Sequence, residues 1–517
     1  MKMIESAIIG LADEVTMNPD IVTSNAIRYT KYLMAHKEET QDVDAIESMI
    51  HEISQYGKWQ QRIYLLSVLT YYSRNNKYII EMIDYINEHF DDISLASLNF
   101  IRNQIEVIAF KYSSMTSKEI SIKKWKLYDR IMDKYVSFFT DELEASIEPV
   151  NDDLVIVFTE QLIGTEHGPT KSALDRCKIL IEQMKKKVIL INTAEMLSAV
   201  GMVPFYEAQG GVYNKDLLTR ELIEWKGVSV PYVQLKNNMP ESNDVRDIIN
   251  VIKNLKPSFC ISIGGGSVVV SLISKIMPVL TVGMVPSNII PTLGWFQTYS
   301  KDISSEDIEL LDAVGRDESH IIKAVFGSSI VSIQEERTKE MIGFKNTDFV
   351  ILLVGSRIKN ETDDIFWNMI SKCNVPDLQV MILGINQDEA DKCIERFDEL
   401  QGKVHGLGMM DDPLGYMCAA DIYVNPNRRG GGTSCVEAMS LGVPVVSLDY
   451  GDVAVNVGKE FLADSYEEMC TEIEKYCVDK VYYKQQSEKA KMRAERLLNA
   501  EEDFVNVVNE FVERIKY

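Results

Sequence analysis

Eight short, almost wholly apolar runs constrain this chain more than anything else in it. Leu154–Phe158, Val188–Ile191, Phe259–Ile263 and Val279–Val282 form a first set; Phe349–Val354, Gln379–Leu383, Asp421–Val424 and Pro444–Leu448 form a second. Strands with one wet face alternate apolar and polar residues. Unbroken apolar runs of strand length belong to strands covered on both faces, as in parallel sheets sandwiched by helices. Helical periodicity fills the stretches between. Two successive α/β series of about 180 residues each therefore predict two doubly wound, Rossmann-like domains facing one another.

Residues 1–147 read differently. Segments such as Tyr78–Phe90 repeat apolar residues every three or four positions, and Gly and Pro are nearly absent, which predicts an all-helical domain. It shows no chemistry of its own, and docking or assembly, through an oligomer or a protein partner, is its expected role. The expected domains are 1–147, 148–338 and 339–517, the last ending in closing helices from Tyr482 onward.

A net charge of -24 argues against nucleic acid and against a polybasic membrane anchor. The eight cysteines form no CxxC pair and the six histidines no HExxH, so no zinc site is expected. The opening MKMIESAIIGLADE lacks signal-peptide character, and no apolar run approaches the roughly 18 residues of a membrane span. A cytoplasmic protein is the expectation.

Ligands of doubly wound folds sit beyond the carboxyl ends of the strands, so chemistry is sought in the loops there. The strongest loop follows Asp421–Val424: Asn425, Pro426, Asn427, Arg428, Arg429, Gly430, Gly431, Gly432, Thr433 and Ser434, leading into a helix that Gly442 and Pro444 end. Three glycines admit close approach of backbone to ligand. The amides of the helix's first turn then suit a diphosphate, and Glu437, one turn in, suits a ribose. Arg357 and Lys359, after Phe349–Val354, are placed to neutralise the same diphosphate. His405, Gly406 and Leu407 form a candidate nucleobase loop.

In the first α/β series, Gly264, Gly265 and Gly266 open a helix after Phe259–Ile263. They offer a second diphosphate contact or a close packing turn. His167, in the loop after Leu154–Phe158, is the candidate general base, the plain alternative being a helix-capping residue. Pro286–Asn288 and Gly294–Phe296 are candidate acceptor-side loops. P-loop, G-x-G-x-x-G and G-x-S-x-G patterns are missing, and no D-x-D follows a strand, so neither a metal nor another cofactor is expected.

The strand, the glycine loop and GGGTSCVEAMSLGVPVVSLDYGDV, with VGSR some 75 residues earlier, resemble the donor domain of bacterial GT-B glycosyltransferases of the family 4, group 1 type. The resemblance implies a nucleotide-sugar donor, UDP-linked above all, and a glycan or protein acceptor in polysaccharide or glycoprotein synthesis. It implies that Arg357 and Gly431–Ser434 hold the pyrophosphate and Glu437 the ribose, and that Asp449–Asp452 border the sugar. Glu437 matches the second glutamate of the family's E-x7-E motif, but Arg429 stands where the first belongs. That departure leaves the sugar and the stereochemical course open. A nucleotide-sugar epimerase and a non-catalytic partner of a glycosyltransferase are the competing readings.

Overall fold

The computed structural model describes residues 2–37, 43–112, 115–164, 167–197, 203–211, 214–235, 239–241, 243–284, 288–324 and 333–516. The chain divides into two compact units. The first comprises Met1–Met284, Ile290–Gln297 and Ile303–Ile321; the second comprises Val285–Ile289, Thr298–Asp302 and Ile322–Tyr517.

The first unit opens with helices. Hydroxyl caps start several of them: Thr23, Ser94 and Ser117 each accept a hydrogen bond from a backbone amide of the first turn. The long helix Lys118–Phe138 buries Trp125, Tyr128, Ile131 and Tyr135 along one stripe. Its sheet follows: β1 (Asn151–Thr159), β2 (Lys187–Asn192), β3 (Leu222–Trp225), β4 (Val228–Gln234), β5 (Pro257–Ile263), β6 (Val279–Val282), β7 (Phe296–Tyr299) and β8 (Ile321–Lys323). The spatial order is β3-β4-β2-β1-β5-β6-β7-β8, the last two lying where the chain passes into the second unit. The four predicted runs are β1, β2, β5 and β6. The apolar-run criterion missed β3 and β4, an antiparallel hairpin turning on Lys226 and Gly227, both at positive φ. β4 alternates buried and exposed residues, as a strand with one wet face does.

The helices are bound into this unit by polar as well as apolar contacts. Gln104 donates to the Gln209 carbonyl at 2.7 Å and accepts from the Gln209 amide at 2.8 Å. The Tyr206 amide donates to Ser67 Oγ, Tyr128 meets Ser271, and Phe100 stacks edge-on against Phe205.

The second unit holds a parallel sheet: β9 (Phe349–Val354), β10 (Leu378–Leu383), β11 (Val404–Gly406), β12 (Ile422–Asn425), β13 (Val445–Leu448) and β14 (Leu462–Ala463), in the order β11-β10-β9-β12-β13-β14. Its strands are covered on both faces. Phe349, Ile351 and Leu353 join one core with Phe366 and Trp367, while Val350 and Leu352 join another with Val436 and Met439. Each such buried side chain contributes roughly 1.5–3 kcal/mol. Strand order reverses between β9 and β12, and that switch point is where an open α/β sheet leaves a crevice at its carboxyl edge.

Candidate active site

The loops leaving β9 and β12 flank this switch point, and one arginine braces them. Arg428 is 4% exposed. Its guanidinium donates to Asn425 Oδ1 (2.8 Å), the Val354 carbonyl (2.8 Å), Tyr423 Oη (3.0 Å) and Glu361 Oε2 (3.1 Å). A β-carbon added to Gly355 would stand 2.6 Å from Arg428 Nη1, and one on Gly431 2.6 Å from Nη2. Both glycines also sit at positive φ, 153° and 100°. Two of the glycines in these loops thus make room for a buried protein cation.

Arg428 and Asn425, expected at the donor, are both buried and bonded to one another, and they build the loop from within. Ser434 is likewise engaged, donating to the Gly431 carbonyl and pairing with Tyr423 Oη. Lys359 turns to Glu389, at the start of the helix Gln387–Cys393, and does not join the glycine loop.

Arg357 is the residue that reaches the turn. Its Nε is held by Glu361 Oε1 at 2.8 Å while its side chain stays half exposed. A β-carbon on Gly430 would lie 3.0 Å from its Nη2. Glu361, 5% exposed, thus grips Arg357 with one oxygen and Arg428 with the other. No sequence pattern singled it out for this. Its signal was the four-residue spacing from Arg357, which places both on one helical face.

The helix Gly432–Ser440 begins from Gly431 in the left-handed conformation, with no side chain capping it. Its first-turn amides have no partner within the helix by position alone. Thr433 is exposed there and Glu437 half exposed. Gly432 is hemmed in by Asp452 and Asn456; Asn456 Nδ2 donates to its carbonyl. Arg429 donates through Nε to Tyr450 Oη at 3.0 Å, and its carbonyl accepts from the Asp452 amide, tying the loop after β13 to this one.

The expected nucleobase loop has partners of its own. His405 lies within β11, packs edge-on against Phe344 and bonds Gln379 Oε1 at 2.8 Å. Burial lowers its pKa. The Gly406 amide donates to Gln387 Oε1 and the Leu407 amide to the Ile382 carbonyl, so the polar atoms of this segment serve the fold.

In the first unit the glycine junction after β5 is already filled. Glu195 Oε1 accepts from the amides of Val268 (2.8 Å) and Val269 (3.2 Å), and Oε2 accepts from Ser267 and Thr193. Glu160 Oε1 takes the Gly265 amide at 3.1 Å, and Arg102 donates to the Gly266 carbonyl at 3.1 Å. Burial pushes the Glu160 carboxyl up to about 8, with Glu195 adding repulsion and Arg102 opposing; burial raises Glu195 too. At Gly264, Gly265 and Gly266, where a diphosphate contact or a close packing turn was expected, the junction packs against the chain's own carboxylates.

His167 is the cap residue of the helix Gly168–Glu182, and its Nδ1 lies 3.3 Å from Thr170 Oγ1. Burial lowers its pKa. Asn288 and Gly294–Phe296 are described, while Pro286 and Ser287 lie outside the described residues. Among the described residues, no three or more His, Cys, Asp or Glu are grouped to hold a metal ion, and no helix is long and apolar enough to cross a membrane.

Residues 348–479, from the start of β9 to past the helix Tyr466–Val478, match the family model of glycosyl transferases group 1. This stretch is a group 1 glycosyltransferase domain. An O-GlcNAc transferase from Thermobaculum terrenum superposes with a TM-score of 0.56 at 10% identity, over 99% of this chain and 97% of that one. A glycosyltransferase from Rickettsia africae gives 0.53 at 14% identity, over 71% of this chain and 100% of that one. These likenesses show the GT-B fold. No curated protein sequence matches significantly. The group 1 match thus covers residues 348–479, and the chain as a whole shares the fold of these solved glycosyltransferases.

Proposed function

We propose that this glycosyltransferase takes a nucleoside diphosphate sugar, with uridine as the nucleoside, and passes the sugar to a hydroxyl of a glycan or protein without a metal ion. One observation carries the reading. Arg357 stands beside Gly430, next to an uncapped helix start, at the switch point of the group 1 domain. A guanidinium and a fan of amides are what a departing diphosphate needs when no cation neutralises it. Glu361 holds Arg357 in place, Thr433 adds a hydroxyl, and Glu437 takes the ribose. Arg429, anchored by Tyr450, stands near the sugar in place of the family's glutamate.

We assign His167 the role of base on the acceptor side. Its lowered pKa leaves the imidazole neutral at pH 7, able to accept a proton from a hydroxyl. The name of the Thermobaculum relative makes UDP-N-acetylglucosamine the first donor to test.

The experiment is a panel of UDP-, GDP-, ADP- and dTDP-sugars scored for nucleotide release and for thermal shift. The wild type should bind and turn over a UDP-sugar, and Arg357→Ala and Glu437→Ala should lose binding. His167→Ala should keep donor binding and lose turnover; full activity in that variant returns His167 to a capping role. A wild type that neither binds nor cleaves any donor favours the non-catalytic partner and ends this reading.

A further inference from the structure

The group 1 chemistry leaves a second concavity unexplained. A cavity of about 640 Å³ opens in the first unit, between the helix Lys118–Phe138 and the segments around β7. That volume lies in the range of small-ligand sites. Asp129 and Asp133, one helical turn apart, form one wall, and Gly294, Trp295, Arg316 and Ser319 form the other. The sequence alone had marked Gly294–Phe296 as an acceptor-side loop; the helical wall was not foreseeable from it.

Three features of this lining point to a guest. Trp295 is 42% exposed, although its Nε1 donates to the Ser274 carbonyl at 2.9 Å. That bond fixes the indole edge and leaves ring surface presented to the cavity. Arg316 spends one donor on the Gly294 carbonyl at 3.2 Å and forms no ion pair among the described residues, leaving most of its five N–H groups unspent. Neither Asp129 nor Asp133 has a hydrogen bond or ion pair among the described residues, and burial pushes the Asp129 carboxyl up to about 6. At the rim, His320 is taken by Asp317 at 3.2 Å.

The mixed charge decides the class of ligand. A lysine or arginine side chain entering for the aspartates meets the Arg316 guanidinium. A phosphate or carboxylate entering for Arg316 meets two carboxylates. A neutral polyol meets neither conflict: its hydroxyls donate to Asp129 and Asp133 and accept from Arg316, while its C–H face lies on the indole.

We propose that this cavity is a saccharide-binding site, formed jointly by the N-terminal helices and the first α/β sheet, and separate from the donor loop. It stands on the cavity's own lining and does not depend on how the group 1 domain binds its donor. The helices then contribute a recognition surface for a glycan, whether an acceptor chain or a product held for another round.

The test is an array of neutral oligosaccharides built from glucose, galactose, N-acetylglucosamine and rhamnose, with trilysine and inorganic phosphate as charged controls. The wild type should retain neutral oligosaccharides, and their addition should change tryptophan fluorescence. Trp295→Ala should weaken that binding roughly tenfold or more, and Asp129→Asn, which keeps shape and removes charge, should weaken it less. Both variants should bind UDP as the wild type does, which separates failure here from failure at the donor loop. Binding of trilysine or phosphate in place of sugars, no retained sugar, or retention unchanged in both variants would overturn the proposal.

Discussion

The molecule contains two glycine-rich strand-to-helix junctions that read alike in sequence and have come to opposite ends. After β5, the Gly264–Ser267 turn presents amides that Glu195 and Glu160 already occupy. After β12, the Gly430–Gly432 turn presents an uncapped helix start with Arg357 beside it. Both use glycine to bring backbone near a charge. In the first the charge is the protein's own and the junction has become a joint between sheet and helices, with Arg102 reaching in from Leu95–Lys111. In the second the protein supplies the cation, and the geometry suits an anion from outside. A phosphate-loop pattern therefore identifies an anion site without saying whose anion it holds.

The largest expected effect breaks the second junction from within. Arg428→Ala leaves Glu361 buried without its inner partner and opens the space that Gly355 and Gly431 reserve. It should destabilise the second unit by about 3–5 kcal/mol in denaturant unfolding. A loss below about 1 kcal/mol would show that Arg428 is not the brace described here.

Next is the first junction emptied of its carboxylate. Glu195→Ala leaves the Val268 and Val269 amides and two hydroxyls unpaired, at a cost of about 1–3 kcal/mol. It should also create what the wild type lacks, an anion site there. Added phosphate should raise the melting temperature of Glu195→Ala more than that of the wild type. Equal shifts would mean that the two junctions do not differ as proposed.

Stability against pH gives an effect with a definite sign. Glu160 has a folded pKa raised to about 8 from 4.5, so the folded state binds more protons than the unfolded state between those values. Stability should fall as pH rises through that window, and Glu160→Gln should flatten the fall. A profile that rises there in the wild type, or is unchanged by Glu160→Gln, contradicts the buried carboxyl.

How much of this was legible in the sequence follows from what each signal measures. Apolar runs report strands buried on both faces, so β1, β5, β9 and β10 stood out. β4, with its alternating burial, did not. Glycines at a strand's end report close approach, and both junctions were found. The partners of the first were not, because Glu195 lies 72 residues from Ser267 and Arg102 lies 164 from Gly266. Periodicity carries no information about such partners. The sequence placed the arginines at 428 and 429 together at the donor, and burial separates a structural brace at 428 from a half-exposed residue at 429. His405 looked like a loop residue because β11 is only three residues long.

The most direct test of the central claim is calorimetric titration of UDP into the wild type, Arg357→Ala and Glu195→Ala. If the second junction is the donor site and the first is filled, the wild type binds UDP and Glu195→Ala binds it equally at that site. Arg357→Ala should bind roughly tenfold to a hundredfold more weakly, the worth of a charge-assisted hydrogen bond to phosphate. Undiminished binding in Arg357→Ala, or loss of binding in Glu195→Ala alone, would contradict the account.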